Sequence, residues 1–251
     1  MTRDATVDMP MDRSTTPAGS PRGHPLRRGL SLGVEAAKAN LRPAVALWAV
    51  GMAILAAYYG TDAGRAAMDR LAEFRSVRPV AYAMVATALF GGVIPWLVMR
   101  GRASSRARAT WGLLAFMAGV WAEKGLEVHL LYEGLAALVG DSPEPGVIAA
   151  KVALDQGLYV TLWACPSLVL AYRLHDHGYR WRSLGVLRSR RWWAVDLLPV
   201  LLANWAVWTP AVAMIYALPL ALQLPAQNLV LCFWSLVLMF MTDRKRLVAA
   251  G

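Results

Sequence analysis

Between residues 197 and 242 the chain runs for 46 residues without a charged side chain. A helix crosses the hydrocarbon core of a bilayer with roughly 20 apolar residues. This run therefore holds two crossings. Residues 44–60, 79–99 and 156–172 are charge-free as well. Only 17% of the chain is charged and 57% is hydrophobic, whereas ordinary soluble domains carry about a quarter charged residues. The buried helices of a large soluble enzyme do not need 46 residues free of charge. An outer-membrane barrel alternates apolar and polar residues in strands of about ten, and these runs are too long and too evenly apolar for that. The pattern predicts an all-α, multi-pass transmembrane helical bundle.

Six membrane-embedded helices are expected. They cover about 43–60, 79–99, a third from Ala109 past Glu123, 147–172, 195–218 and 225–242. Pro199, Pro210, Pro219 and Pro225 punctuate the last two. Each removes a backbone donor and favours a kink. Residues 1–40, rich in Thr, Ser, Pro and Arg, are read as a disordered or targeting tail.

The net charge of +10 follows the connectors rather than a nucleic-acid surface. Arg100, Arg102, Arg106 and Arg108 lie between the second and third helices, and six arginines lie between 173 and 191. The connector after the third helix has Asp141 and Glu144 and no basic residue, and Arg244, Lys245 and Arg246 close the chain. The alternation places both termini on the cytoplasmic-like side. Residues 61–78 mix both signs and read as a short interfacial helix with internal ion pairs.

Ionisable residues inside membrane segments are costly and therefore informative. One cluster is Glu123, Lys124, Glu127, His129, Tyr132 and Glu133. Glu123 and Glu127 lie one helical turn apart and repel unless a cation or proton intervenes. A second cluster is Lys151, Asp155 and Gln156, where Lys151 and Asp155 have the spacing of an in-helix pair. Two roles stay open for these groups: ion pairs that hold helices together, and the lining of a water-filled path. Catalysis has little support. His175 and His177 are two ligands without partners, Cys165 and Cys232 lie in apolar segments, and no nucleophile elbow, P-loop or paired-cysteine motif occurs. No enzyme activity, metal or cofactor is expected.

At these polar residues the chain resembles the 22-kDa peroxisomal membrane protein family and its mitochondrial inner-membrane relatives. Gly125, His129, Tyr132 and Leu135 fall at the spacing of the family's G-P-x-x-H-x-W-Y-x-x-L, with Leu126 and Leu131 in place of its proline and tryptophan. Lys151, Asp155 and Gln156 match K-x-x-x-D-Q. Asn204, Trp208, Pro219 and Trp234 correspond to the third motif, with Thr209 before Pro210 and Gln223 where the family has arginine. The resemblance covers about residues 119–242. It implies a four-helix core over 109–246 preceded by a divergent transmembrane pair over 41–108. It also implies a channel-like protein affecting small-solute permeability, with Asn204 and Trp208 bracing a path between the third, fourth and fifth helices. The alternative is a non-conducting membrane scaffold. The implied partner is the lipid bilayer, with a homo-oligomer left open and no nucleic acid. The membrane is a bacterial plasma membrane or a mitochondrial inner or peroxisomal membrane.

Overall fold

The computed structural model describes residues 25–249, with side-chain surroundings through Leu236. Residues 1–24 of the expected tail and the side chains of Arg244, Lys245 and Arg246 lie outside the described residues. Among those described there is no β-strand; the fold is an all-α helical bundle. Its helices are α1 (Pro25–Gly60), α2 (Asp62–Ser76), α3 (Pro79–Gly101), α4 (Trp111–Val139), α5 (Pro145–Asp176), α6 (Arg190–Tyr216) and α7 (Leu220–Ala249). Short 3₁₀ turns at Arg106–Arg108 and Trp181–Arg188 sit in the two basic connectors.

Four of these helices, not six, are long and apolar enough to cross a membrane: α1, α3, α5 and α6. The other two expected crossings form as helices but differ in composition. α4 carries Glu123, Lys124, Glu127 and Glu133 within its 29 residues, and the fully described apolar part of α7 is limited to Leu220–Leu236. The outward faces of the bundle are apolar, with Val85, Leu97, Leu130, Leu162 and Leu229 all exposed. Large apolar outer surfaces are rare on soluble monomers. The architecture is therefore compatible with an integral membrane location.

α1 begins earlier than composition suggests. Residues 25–40 belong to this helix rather than to a disordered tail. Gly29 and Gly33 explain it, because a methyl group at Gly29 would overlap the Ala194 carbonyl and one at Gly33 would overlap Leu202. Missing side chains at these two positions let α1 lie close along α6, as small residues do between membrane helices. Farther along, the Trp48 indole donates to the Val207 carbonyl (2.9 Å) and the Tyr59 hydroxyl to the Ala217 carbonyl (2.7 Å). The two helices therefore run parallel. α4 runs antiparallel to α3, with Gly125 beside Ala83 and Gly92 beside Met117.

α3, α5 and α6 each contain a π-helical stretch, at Leu89–Val93, Ala153–Ala164 and Trp193–Leu197. Each stretch ends two residues before a proline: Pro95, Pro166 and Pro199. Proline has no N–H to give to the carbonyl four residues back, and its ring crowds that carbonyl. The wider turn relieves both problems by bonding five residues apart. Ile94 N–H bonds Leu89, Cys165 bonds Val160 and Leu198 bonds Trp193. Pro210 and Pro225 lie inside helices, whereas Pro219 sits in the turn between α6 and α7.

α2 is the helix expected over 61–78, capped by Thr61, whose side chain accepts the Gly64 N–H. The expected internal ion pairs are absent among the described residues. Instead Arg75 is buried and points into the bundle, with Nη1 donating to the Leu220 carbonyl (2.8 Å) and Nη2 to Glu133 (3.3 Å).

Candidate functional site

A cavity of about 440 Å³ lies among α3, α4, α5, α6 and α7. Its walls are mostly apolar. Its polar edge includes Lys124, Asp155, Gln156, Asn204 and Gln227. Pockets that take small organic molecules span roughly 300–1,000 Å³ and combine apolar walls with a few placed polar groups.

α4 and α5 supply the first polar cluster because they run antiparallel. Glu127 accepts from Lys124 Nζ (2.8 Å), the Tyr159 hydroxyl (2.8 Å) and the Trp163 indole (2.7 Å). Lys124 also donates to Ser167 (2.8 Å) and lies 3.5 Å from Glu123. The cation that two carboxylates one turn apart require is therefore Lys124, which sits between them.

Lys151 and Asp155 do not pair with each other. Lys151 is 1% exposed and bonds Asp141 at 3.1 Å, and its ammonium lies 5.6 Å from the centre of the Tyr216 ring. Asp155 is 4% exposed and accepts from the Tyr216 hydroxyl (2.7 Å) and from Gln156 Nε2 (3.3 Å). The π-helical stretch starting at Ala153 separates the two residues, so the i, i+4 rule of a regular helix does not apply between them. The Gln156 carbonyl accepts from the Thr161 hydroxyl (2.7 Å) and the Trp205 indole (3.0 Å).

His129 lies under Arg75, whose Nη2 is 3.4 Å from its Nδ1. It faces Glu133 rather than the cavity. Tyr132 lines the cavity, donates to Gln227 and meets Tyr216 edge to face. Asn204 and Trp208, both half-buried, line the cavity too. Of the nine residues singled out in the sequence, the cavity thus brings together Tyr132, Asp155, Gln156, Asn204 and Trp208. Glu123, Glu127, His129 and Lys151 lie outside its lining.

Sequence reasoning passed over several contributors. Asp141 reads as loop charge, yet it accepts from Lys151, from the Leu220 N–H (3.1 Å) and from Gln223 (3.3 Å). Arg75 reads as connector charge. Tyr159 and Tyr216 read as ordinary aromatics, and only a carboxylate within reach gives their hydroxyls a role. Among the described residues no three His, Cys, Asp or Glu side chains gather as a metal site. His175 stacks on Phe116 at 4.3 Å, and His177 Nδ1 bonds the Arg173 carbonyl at 2.8 Å.

Fold and site together define a class: an all-α bundle with four apolar, membrane-length helices and buried charges around a central cavity. The chain matches no protein-family model, no curated protein and no solved structure. The class rests on the chain's own residues.

Proposed function

We propose that the protein is a multi-pass integral membrane protein, channel-like, that influences the permeability of a bacterial inner or organellar membrane to small solutes. One observation carries this reading: the bundle holds a cavity of about 440 Å³ whose lining includes a buried carboxylate, Asp155. Packed interiors leave few voids larger than a water molecule, so a space of this size bordered by charge suits a resident solute. The resemblance of the α4, α5 and α6 motifs to the peroxisomal and mitochondrial family supports the same reading. In it the protein is not an enzyme.

A second reading, a non-conducting scaffold, draws on a different observation. Lys151 closes on Asp141, Lys124 on Glu127 and Arg75 on Glu133. Charges satisfied in this way hold helices together without any passage.

Planar-bilayer conductance and proteoliposome flux of the purified protein separate the two. Wild type is expected to pass small solutes, and Asp155→Asn to change the preference between cations and anions. Folded protein that neither conducts at any voltage nor releases trapped solute would leave the scaffold.

A further inference from the structure

We propose that the central cavity binds an amphipathic organic ammonium ion, with Asp155 as its counter-ion. The inference names the solute class for the cavity on which the permeability reading rests.

The charge balance of the interior points there first. Buried Lys124, Lys151 and Arg75 each face a carboxylate: Glu127, Asp141 and Glu133. Asp155 is the exception. Its partners, the Tyr216 hydroxyl and the Gln156 amide, are both neutral. Among the described residues no Lys, Arg or His forms an ion pair with it. A carboxylate buried to this degree either takes up a proton or needs a cation beside it, and the two donors on its oxygens, Tyr216 and Gln156, favour the anion.

A second observation is independent of charge. Gln156 is 6% exposed and lines the same cavity. Its Nε2 is engaged by Asp155. Its Oε1 is buried and has no hydrogen-bond partner. Buried acceptors in native proteins are nearly always satisfied. At its Asp155–Gln156 end the cavity wall thus holds a carboxylate and, buried beside it, an unpaired amide oxygen, both acceptors, while Trp121 Nε1 elsewhere in the lining is a buried donor without a partner. A matching ligand brings N–H donors and a positive charge, which is an ammonium group.

The remaining walls select the rest of the ligand. Trp121, Tyr159, Tyr172, Trp208 and Trp234 line the cavity. Aromatic faces attract organic cations and bury an apolar body. A metal ion is a poor match, since hard cations require about six oxygen ligands and these walls are largely carbon. An anion is a poor match because the Lys124 ammonium in the lining is held by Glu127 and Ser167.

The probe is 4-phenylbutylammonium, compared with 4-phenylbutanol and 4-phenylbutyrate, on purified full-length protein in detergent. Equilibrium dialysis should show the amine binding about tenfold or more tightly than either comparator, as expected for one charge-assisted contact. Asp155→Asn should remove that preference and Asp155→Glu should restore it. A readout that needs no variant comes from the native thiols. Cys165 lines the cavity and Cys232 does not. The amine should slow modification of Cys165 by methyl methanethiosulfonate and leave Cys232 unchanged, while the alcohol should protect neither.

Equal binding of amine and alcohol, or no binding of the amine by folded protein, overturns the proposal. Amine binding without solute flux would keep the site and discard the permeability reading. Flux without amine binding would do the reverse.

Discussion

Lys151 shows how one side chain fixes the end of the bundle. Its ammonium is buried, and the carboxylate that neutralises it comes from the connector after α4 rather than from its own helix. Asp141 Oδ1 meets the ammonium and its Oδ2 accepts the Leu220 N–H, so one residue ties α5 to the start of α7. Removing one partner of a buried pair costs about 3–5 kcal/mol, whereas replacing both by apolar groups is often neutral. Asp141 is 38% exposed, so water softens the loss: Asp141→Asn should destabilise the protein by about 1–2 kcal/mol, and adding Lys151→Met should recover most of that. Chemical denaturation in detergent, followed by tryptophan fluorescence, checks both. Equal stability of the wild type and Asp141→Asn would show that the pair is not holding this end together. The sequence makes Lys151 conspicuous, as one of four lysines among 26 basic residues. It does not show the partner, because a proline thirteen positions after Ala153 ends a π-helical stretch that no α-helical spacing rule describes.

Among the helices, positions were more legible than contacts. Charge-free runs mark α1, α3, α5 and α6 because a membrane-length helix must exclude charge. Connector charge marks their ends. The start of α1 was not legible, because its polar first turns look like tail until Gly29 and Gly33 are seen against α6. Glycine is a poor helix former, and its value here appears only once a neighbour is in place. The same holds for Gly125 on α4, where a methyl group would overlap the Ala83 carbonyl and crowd Thr87. Gly119 on the same helix faces open space. Gly125→Leu should separate α3 from α4 and cost about 1–3 kcal/mol, the usual penalty of overpacking. Gly119→Leu should leave stability unchanged or raise it by up to about 1 kcal/mol, since a helix-interior glycine is replaced by a good helix former with nothing to clash against. Thermal unfolding of the two variants side by side tests this. Equal loss in both would mean that bulk, and not the α3–α4 contact, is responsible.

On the scale of the whole molecule, the directions of the helices decide what hydropathy leaves open for α4. α3 runs antiparallel to α4, through Ala83 beside Gly125 and Met117 beside Gly92. α5 also runs antiparallel to α4, since Glu127 meets Tyr159, Lys124 meets Ser167 and Phe116 meets Tyr172. α3 and α5 are therefore parallel to each other. Two parallel helices that both span the bilayer need the chain to return across it between them, and α4 is the connection. Its 29 residues rise about 1.5 Å each, more than enough for a hydrocarbon core about 30 Å thick. Its charges are costly at mid-membrane, but Lys124 lies against both Glu127 and Glu123 and Arg75 against Glu133, so that one negative charge is left over, on the half-exposed Glu123. The basic connectors at 102–110 and 177–189 should then lie on one side and the connector at 140–144 on the other. Single cysteines introduced as Ala107→Cys, Gly185→Cys and Gly146→Cys, in a background of Cys165→Ala and Cys232→Ala, report the side with an impermeant thiol reagent on oriented vesicles. Cysteines at 107 and 185 should react from one face, and the cysteine at 146 only after the other face is opened. If all three react from the same face, α4 does not cross, α3 and α5 do not both span, and the bundle enters the bilayer in some other way.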